Sequence, residues 1–570
     1  MNPKSWLGCL HWLPGYDKAT LASDAVAALV VTIMLIPQSL AYALLAGLPP
    51  QVGLYASMAP LLAYAVFGSS RTMAVGPVAV ASLMSAAAAG QFAQGDVALF
   101  YQASVAMALL GGVVLFTLGA FKAGFVANLL SHPVVGGFVT ASALLIAVGQ
   151  FGALIGVSAK GETFVHTVMA LIKHFPLFNA WTAAIGLSSL LWLWLVRKRG
   201  KQVLAGLGLS GLPLELLLRG APVLALVVSI VVVSVWAPEG VRTVGVIPTD
   251  LPGLMLPALS QDQWLSLVVP GSLIALVGFV ETVSVGHALA ARRKQRIDPN
   301  QELLGLGAAN VASGLFGGYS VTGGFSRSVV NFDAGAQTPM AGVFTAGGIL
   351  LATLFLTPWL ANLPQATLAA TIVIAVVALI DTDLPRMLWR YSRKDFAAYA
   401  VTVALVLVAG VEAGIMAGVG FSVLALLVSI GKPHWAVVGQ VPGTEHYRNV
   451  KRHAVTTVDG VLSVRIDESL YFPNAQWLED LLLRLAADLG TTRALILQCS
   501  AINHIDASAL ESLEKVDENL QAMGVRFYLS EVKGPVTDKL KNTHWYSSIQ
   551  ARIALTHTDA MSMAVCEMKE

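Results

Sequence analysis

Along most of this chain the apolar positions follow neither a helical nor a strand period; they run on almost unbroken. A helix that crosses a bilayer needs about 20 such residues. Runs of that kind fall at 24–46, 52–67, 74–90, 99–120, 131–151, 179–196, 220–236, 264–290, 301–317, 324–333, 338–358, 364–381, 396–410 and 413–430. The pattern predicts an all-α polytopic membrane domain of about 14 segments. Two of them, after Gly76 and after Gly324, are too short to cross alone. Split near residue 250, the chain places seven segments in each half, and these two short ones are third in their halves. An odd number of crossings per half inverts one half against the other, so the expectation is a 7+7 inverted repeat with two half-helices. Paired, glycine-interrupted segments at equivalent places point to a transporter's binding site.

Beyond Lys432 the pattern changes. GVLSVRIDESLYF (460–472) has strand character, AQWLEDLLLRLAADLG (475–490) is an amphipathic helix ending on glycine, and ALILQC (494–499) is a buried strand. A second helix follows over 506–524, with Asp506 or Ser508 as its N-cap, and then a strand over 525–530. The expected organisation is an N-terminal segment 1–20, a transmembrane domain 21–432, a linker 433–444 and a small α/β domain 445–570.

Composition supports the division. Of the 570 residues 56% are hydrophobic and only 12% charged, against about 25% charged in soluble proteins. Seventeen of the 33 acidic residues lie from Glu445 onward. Basic clusters at Arg197–Lys201, Arg292–Arg296 and Arg386–Lys394 follow segments six, eight and twelve. With an inside N-terminus all three are cytoplasmic, as the positive-inside rule requires, and both termini are then expected in the cytoplasm of a cell whose inner (plasma) membrane holds the chain. No apolar run before a small-residue cleavage site marks a signal peptide. Three cysteines allow neither a disulfide framework nor a metal pattern, so no metal and no cofactor is expected. There is no Walker A pattern and no nucleophile elbow, which disfavours an ATP-driven pump and an enzyme. The net charge of +2 gives no reason to expect a nucleic-acid partner.

In hydrocarbon, non-helical backbone is tolerated only inside protein or beside a water-filled cavity. The stretches before Pro77 and Phe325 are of that kind. A half-helix starting there offers unpaired N–H groups and a positive dipole end, and two such ends facing one another would attract an anion. The alternative is that the glycines only let helices pack closely. Arg327 lies just inside the second half-helix, and a charge at that depth is functional by default. Pairing with Asp333 or Glu281 as structural glue is the competing role. Glu281, deep in LIALVGFVETVSVGHALA, could carry a proton, hold Na⁺ or pair with Arg327. Gln38 and Tyr42 lie one turn apart in the first segment, where Pro37 locally frees backbone groups; a glutamine amide serves an anion or another helix equally well.

IPQSLAYALLAGLPPQVGLYASMAPLLAYAVFGSSRTMAVGPVAVASL (36–83) resembles the signature region of the SulP family of anion permeases. That family includes plant and bacterial sulfate permeases, bicarbonate and dicarboxylate transporters, and the animal motor protein prestin. GLFGGYSVTGGFSRSVVNFDAGAQTPMAG (314–342) resembles the family's second half-helix, and AINHIDASALESL (501–513) the core of the STAS domain that usually follows. The resemblance implies a core domain and a gate domain moving against each other in alternating access, usually in a homodimer embedded in membrane lipid. It implies an anion site lined by Gln38, Tyr42, Val78, Phe325, Ser326 and Arg327. A carboxylate at Glu281 is a feature of the family's plant and bacterial symporters, so it implies proton-coupled uptake, with sodium second. Sulfate is the favoured substrate; bicarbonate or a C4-dicarboxylate, exchange, or a channel are the alternatives. Ser508 matches the position phosphorylated in small anti-sigma-antagonist relatives of the STAS domain, although Asp506-Ala507-Ser508 stands where those relatives have two adjacent serines. A regulatory partner for that domain is the corresponding expectation.

Overall fold

A computed structural model describes residues 6–128, 131–157, 163–206, 217–218, 220–246, 248, 252–488 and 491–569. Residues 1–5 of the expected N-terminal segment, the repeat boundary at 249–251 and Gly490 at the end of an expected helix lie outside the described residues. Contacts divide the chain into two compact units, residues 1–422 and 423–570.

The first unit is helical. Its elements are α1 (Lys18–Leu45), α2 (Pro50–Tyr55), α3 (Ala59–Phe67), β1 (Val75–Gly76), α4 (Ala79–Ala93), α5 (Val97–Ala120), α6 (His132–Ile155), α7 (Ala180–Leu195) and α8 (Ala221–Trp236). They continue as α9 (Gln261–Arg292), α10 (Pro299–Leu315), β2 (Thr322–Gly323), α11 (Phe325–Asp333), α12 (Met340–Phe355), α13 (Gln365–Val377), α14 (Arg393–Ala409) and α15 (Val411–Gly431), which carries the boundary between the units. Each of the fourteen apolar runs has a helical counterpart here, and the second is broken into α2 and α3. Among the described residues five helices, α1, α5, α6, α9 and the one beginning at Ala180, are long and apolar enough to cross a bilayer by themselves. Side chains set the starts: Asp17 caps α1 through the Thr20 N–H at 2.8 Å, and Asp96 caps α5 through Ala98 and Leu99.

Close packing comes from missing side chains. α10 runs along α5, and a Cβ on Gly307 would meet the Phe116 nitrogen at 2.5 Å, while one on Gly112 would meet the Val311 nitrogen at 2.6 Å. The helices approach backbone to backbone, the arrangement small residues permit in a membrane. Two buried carboxylates tie loops to helices. Asp24 accepts from Gln337 N, Thr338 N and Thr338 Oγ1, fixing the chain after α11 to α1. Glu302 accepts from Ser69 N, Ser69 Oγ, Ser70 N and Tyr64 Oη, fixing the chain before β1 to α10.

The second unit is a six-stranded sheet of order β4-β3-β5-β6-β7-β8. The strands are β3 (Trp435–Gln440), β4 (Tyr447–Asn449), β5 (Val461–Ile466), β6 (Ala494–Gln498), β7 (Arg526–Ser530) and β8 (Ile553–Ala554). β5 to β8 run parallel and β3 is antiparallel to both its neighbours. Helices α16 (Phe472–Asp488) and α17 (Ala507–Ala522) cover one face around Leu478, Leu482, Leu513 and Val516; α18 (His557–Lys569) covers the other through Ala560 and Ala564. Helices on both faces explain why β6 is buried along its whole length.

Two expectations for this unit change, and a third, left open between two residues, is resolved. Trp435–Gln440 lies inside the stretch expected as a linker, yet it is a strand of the sheet. The strand expected over 460–472 stops at Ile466, because Phe472 already begins α16. The cap of α17 is Asp506, not Ser508: Asp506 Oδ1 accepts from Ala509 N at 2.9 Å while Oδ2 accepts from Phe472 N at 2.7 Å, so one carboxylate organises both helix starts. Ser508 is an exposed residue in the first turn.

Candidate functional site

The two glycine-interrupted stretches meet. β1 and β2 pair antiparallel, Val75 opposite Gly323 and Gly76 opposite Thr322, and each leads directly into a half-helix. α4 starts at Ala79 with Val78 as N-cap, and α11 starts at Phe325 with Gly324 as N-cap; neither start has a side-chain cap. A Cβ on Gly324 would come 3.2 Å from Val78 Cγ1, so the two N-caps touch. Two uncapped starts thus converge, each with unpaired N–H groups and the positive end of a dipole.

The surrounding helices fix this crossing through buried polar groups. Thr282 on α9 accepts from Gly323 N at 2.9 Å and donates to Gly278 O at 2.6 Å. Asn310 on α10 clamps Val321, accepting from its N–H and donating to its carbonyl, both at 2.9 Å. Ser328 Oγ accepts from Ala74 N at 3.1 Å, and Asn331 Nδ2 donates to Thr72 O at 3.0 Å, so α11 grips the chain leading into β1. Ser82 on α4 and Tyr319 before β2 share a hydrogen bond of 2.9 Å. With so many partners the crossing is held rigidly although it is not helical.

Arg327 lies on this crossing. It is 2% exposed, and neither Nη1 nor Nη2 has a hydrogen-bond partner among the described residues. Its guanidinium rests against backbone: a Cβ on Gly76 would stand 2.7 Å from Nη1, and one on Gly324 would stand 2.9 Å from Nε and from Nη2. Only glycine leaves this room on both sides. A buried cation therefore sits beside two positive helix ends, an arrangement that is costly unless an anion joins it.

The competing role, a pairing of Arg327 with Glu281, is absent among the described residues. Glu281 forms no ion pair or hydrogen bond among the described residues. It is half-buried on α9, in a narrow apolar cleft lined by Val134, Val135, Phe138, Val139, Val277 and Val280. Pairing with Asp333 through Nη1 or Nη2 of Arg327 is absent too, since neither of these two atoms has a hydrogen-bond partner among the described residues. Glu281, Tyr42 and Tyr319 lie close enough to the guanidinium to interact with it electrostatically when ionised. Tyr42, Val78, Glu281 and Arg327 are thus brought together. Gln38 is half-buried one turn before Tyr42, Phe325 is 48% exposed and Ser326 is exposed at the start of α11. Ser328 is fully buried and spent on Ala74 N and the Met73 sulfur, so it does not face the site.

Sequence reasoning missed Glu302, Thr282 and Asn310. Glu302 falls in the first turn of α10, where an acid reads as an ordinary dipole partner. Thr282 and Asn310 are unremarkable in an apolar helix; only their proximity to β2 gives them work.

The profile of the Sulfate permease family matches residues 21–402, and that of the STAS domain matches residues 452–560. The chain is 36% identical over 535 residues to Sulfate transporter 4.1, chloroplastic, of Arabidopsis thaliana, covering 92% of this chain and 77% of that one. It is 32% identical to a probable sulfate transporter of Mycobacterium tuberculosis, covering 93% and 94%. Among solved structures it superposes on the murine Slc26a9 anion transporter in the inward-facing state with a TM-score of 0.89, at 25% identity, over 99% of this chain and 94% of that one. The transmembrane domain of the cyanobacterial bicarbonate transporter BicA matches 70% of this chain with a TM-score of 0.61 at 21% identity, a likeness of fold. A helical membrane unit with paired half-helices, a C-terminal STAS-like sheet and these matches lead to one conclusion: this multi-pass membrane protein belongs to the sulfate permease family.

Proposed function

We propose that the protein is a secondary active anion transporter that takes up sulfate together with a proton. The observation that carries the anion reading is the buried Arg327 guanidinium, without hydrogen-bond acceptors for its Nη groups, at the point where two uncapped half-helices begin. A sulfate oxygen pair matches the guanidinium fork, and backbone N–H groups of the two starts complete the shell. Val78, Phe325, Ser326 and Arg327 then hold the anion from the half-helices, and Gln38 and Tyr42 face it from α1. The sulfate assignment draws on the relatives, whose names describe sulfate transporters.

Glu281 carries the proton in this reading. The lack of a direct ion pair with Arg327 supports that role, because a carboxylate locked in an ion pair would be held ionised, whereas this one stands in an apolar cleft. The proton offsets one of the two negative charges that sulfate brings, which lowers the cost of carrying the loaded core across the membrane field against the gate. The basic clusters support a topology with both termini in the cytoplasm and the chain in the plasma membrane, and a homodimer is the proposed assembly. Ser508, exposed at the start of α17, is accessible to a regulatory partner of the STAS domain.

Radiolabelled sulfate uptake into proteoliposomes, with bicarbonate, fumarate and succinate as competitors, tests the substrate. An inward proton gradient should drive accumulation in the wild type. Glu281→Gln should still bind sulfate and exchange it, but lose gradient-driven accumulation. Accumulation by a stable Glu281→Gln protein would show that the proton travels by another group.

A further inference from the structure

The loop that leads into β1 forms one wall of a cavity of about 220 Å³, and the end of α9 with the residues after it forms the other. Ser70, Arg71 and Thr72 line the first wall; Gln295, Arg296 and Ile297 line the second. No carboxylate lines it. The nearby Glu302 is already committed to Tyr64, Ser69 and Ser70. Neither Arg71 nor Arg296 makes an ion pair or hydrogen bond among the described residues, and Arg71 also lies close enough to Arg293 for their charges to repel. Exposed arginines on one chain usually spread apart or find acidic partners; here two converge on a concave, carboxylate-free space.

We propose that this cavity is a second oxyanion site, selective for a tetrahedral group bearing two negative charges. Two guanidinium forks suit such a group, and the hydroxyls and the Gln295 amide supply neutral donors. The volume is below the roughly 300–1,000 Å³ of drug-sized pockets and suits a small hydrated ion or a phosphate headgroup. The site lies at the end of α9 that carries Arg292–Arg296, which is the cytoplasmic end in the proposed topology. Its first wall is wired to the central crossing: Thr72 O accepts from Asn331, Ala74 N donates to Ser328, and Gly76 backs the Arg327 guanidinium. Its second wall ends the helix that carries Glu281. An anion held here bridges the loop that leads into the central crossing and the end of α9, so occupancy from this side ties them together and slows turnover as anion accumulates.

Binding to the purified full-length chain in nanodiscs tests the proposal. With phosphatidylcholine as the sole lipid, sulfate should give a biphasic isotherm. R71Q/R296Q should lose the weaker phase, by about tenfold or more in affinity, and keep the stronger one. Arg327→Met should do the reverse, so failure of the central reading and failure of this one are separable. Both arginines are exposed, and an unchanged melting temperature checks the fold. Phosphate is run in parallel as a free oxyanion, and discs containing phosphatidic acid as a headgroup. A weaker phase with free sulfate or phosphate assigns the site to soluble anion; a stabilisation by phosphatidic acid alone that R71Q/R296Q abolishes assigns it to lipid. Isotherms and lipid stabilisation that R71Q/R296Q leaves unchanged would overturn it.

Discussion

Replacing Arg327 by methionine separates a binding role from a structural one. Methionine keeps a long apolar stem against Gly76 and Gly324 and removes the charge. In the free protein the two Nη groups have no acceptor, so the substitution deletes no protein hydrogen bond from them and relieves a buried, uncompensated cation. The unliganded variant should melt no lower than the wild type. With anion bound the balance reverses. A hydrogen bond to a charged group contributes about 1.5–3 kcal/mol, so loss of the guanidinium should weaken sulfate affinity about ten- to a hundredfold. A ligand that binds only the native state stabilises by RT ln(1 + [L]/Kd), so sulfate should raise the wild-type melting temperature at concentrations that leave the variant unmoved. Thermal shift of detergent-purified protein across a sulfate titration reads both quantities at once. Arg327→Lys should recover only part of the affinity, since an ammonium cannot present a two-pronged donor. A variant that melts well below the wild type without sulfate, yet binds sulfate unchanged, would refute the reasoning and return Arg327 to a purely structural role.

Gly76→Ala places a methyl 2.7 Å from Arg327 Nη1, so it should displace the guanidinium and weaken sulfate affinity while the helices still assemble, as size-exclusion profiles and binding would show together. Glu302→Leu removes the acceptor of four hydrogen bonds and should cost on the order of 3 kcal/mol or more. Glu302→Gln should be far milder, because its amide oxygen can serve Ser69 and Ser70 while its amide nitrogen donates to Tyr64; equal losses of folded protein from the two variants would contradict this. In the STAS unit, burial holds His557 down to about 4, between Ser530 Oγ at 2.7 Å and Ser463 Oγ at 3.1 Å. Its folded value lies below the unfolded one, so its stabilisation is complete above about pH 6.5 and falls as pH drops toward 4, by up to about 3 kcal/mol. Hydrogen exchange across β5, β7 and α18 of the full chain should speed up over that window, and His557→Gln should flatten the dependence.

What the chain determines by itself is whatever depends on composition over a few turns. Apolar runs near 20 residues must become buried or lipid-facing helices, because hydrocarbon satisfies no backbone group. The breaks before Pro77 and Phe325 are equally local, since proline lacks a donor and glycine disfavours a helix interior. A lone arginine in such a place is conspicuous for the same reason. The alternation of strands and helices after Val461 also follows from short-range pattern, although β3 and β8 are too short or too lightly patterned to stand out before they pair.

Tertiary structure decided every question of partnership. In sequence Glu281 is open to a proton, to Na⁺ or to a pair with Arg327, and only the fold turns it into a valine-lined cleft while the guanidinium lies across Gly76 and Gly324. Asp506 and Ser508 are equivalent caps by type, and only the approach of Phe472 N selects Asp506. Glu302, Thr282 and Asn310 acquire their roles from chain tens to hundreds of residues away in some bonds and from a returning turn in others. The physical reason is common to all of them. Hydropathy and helix breaking are properties of a segment, whereas the energy of a buried polar group depends on which atom comes within about 3 Å of it, and that is set by packing.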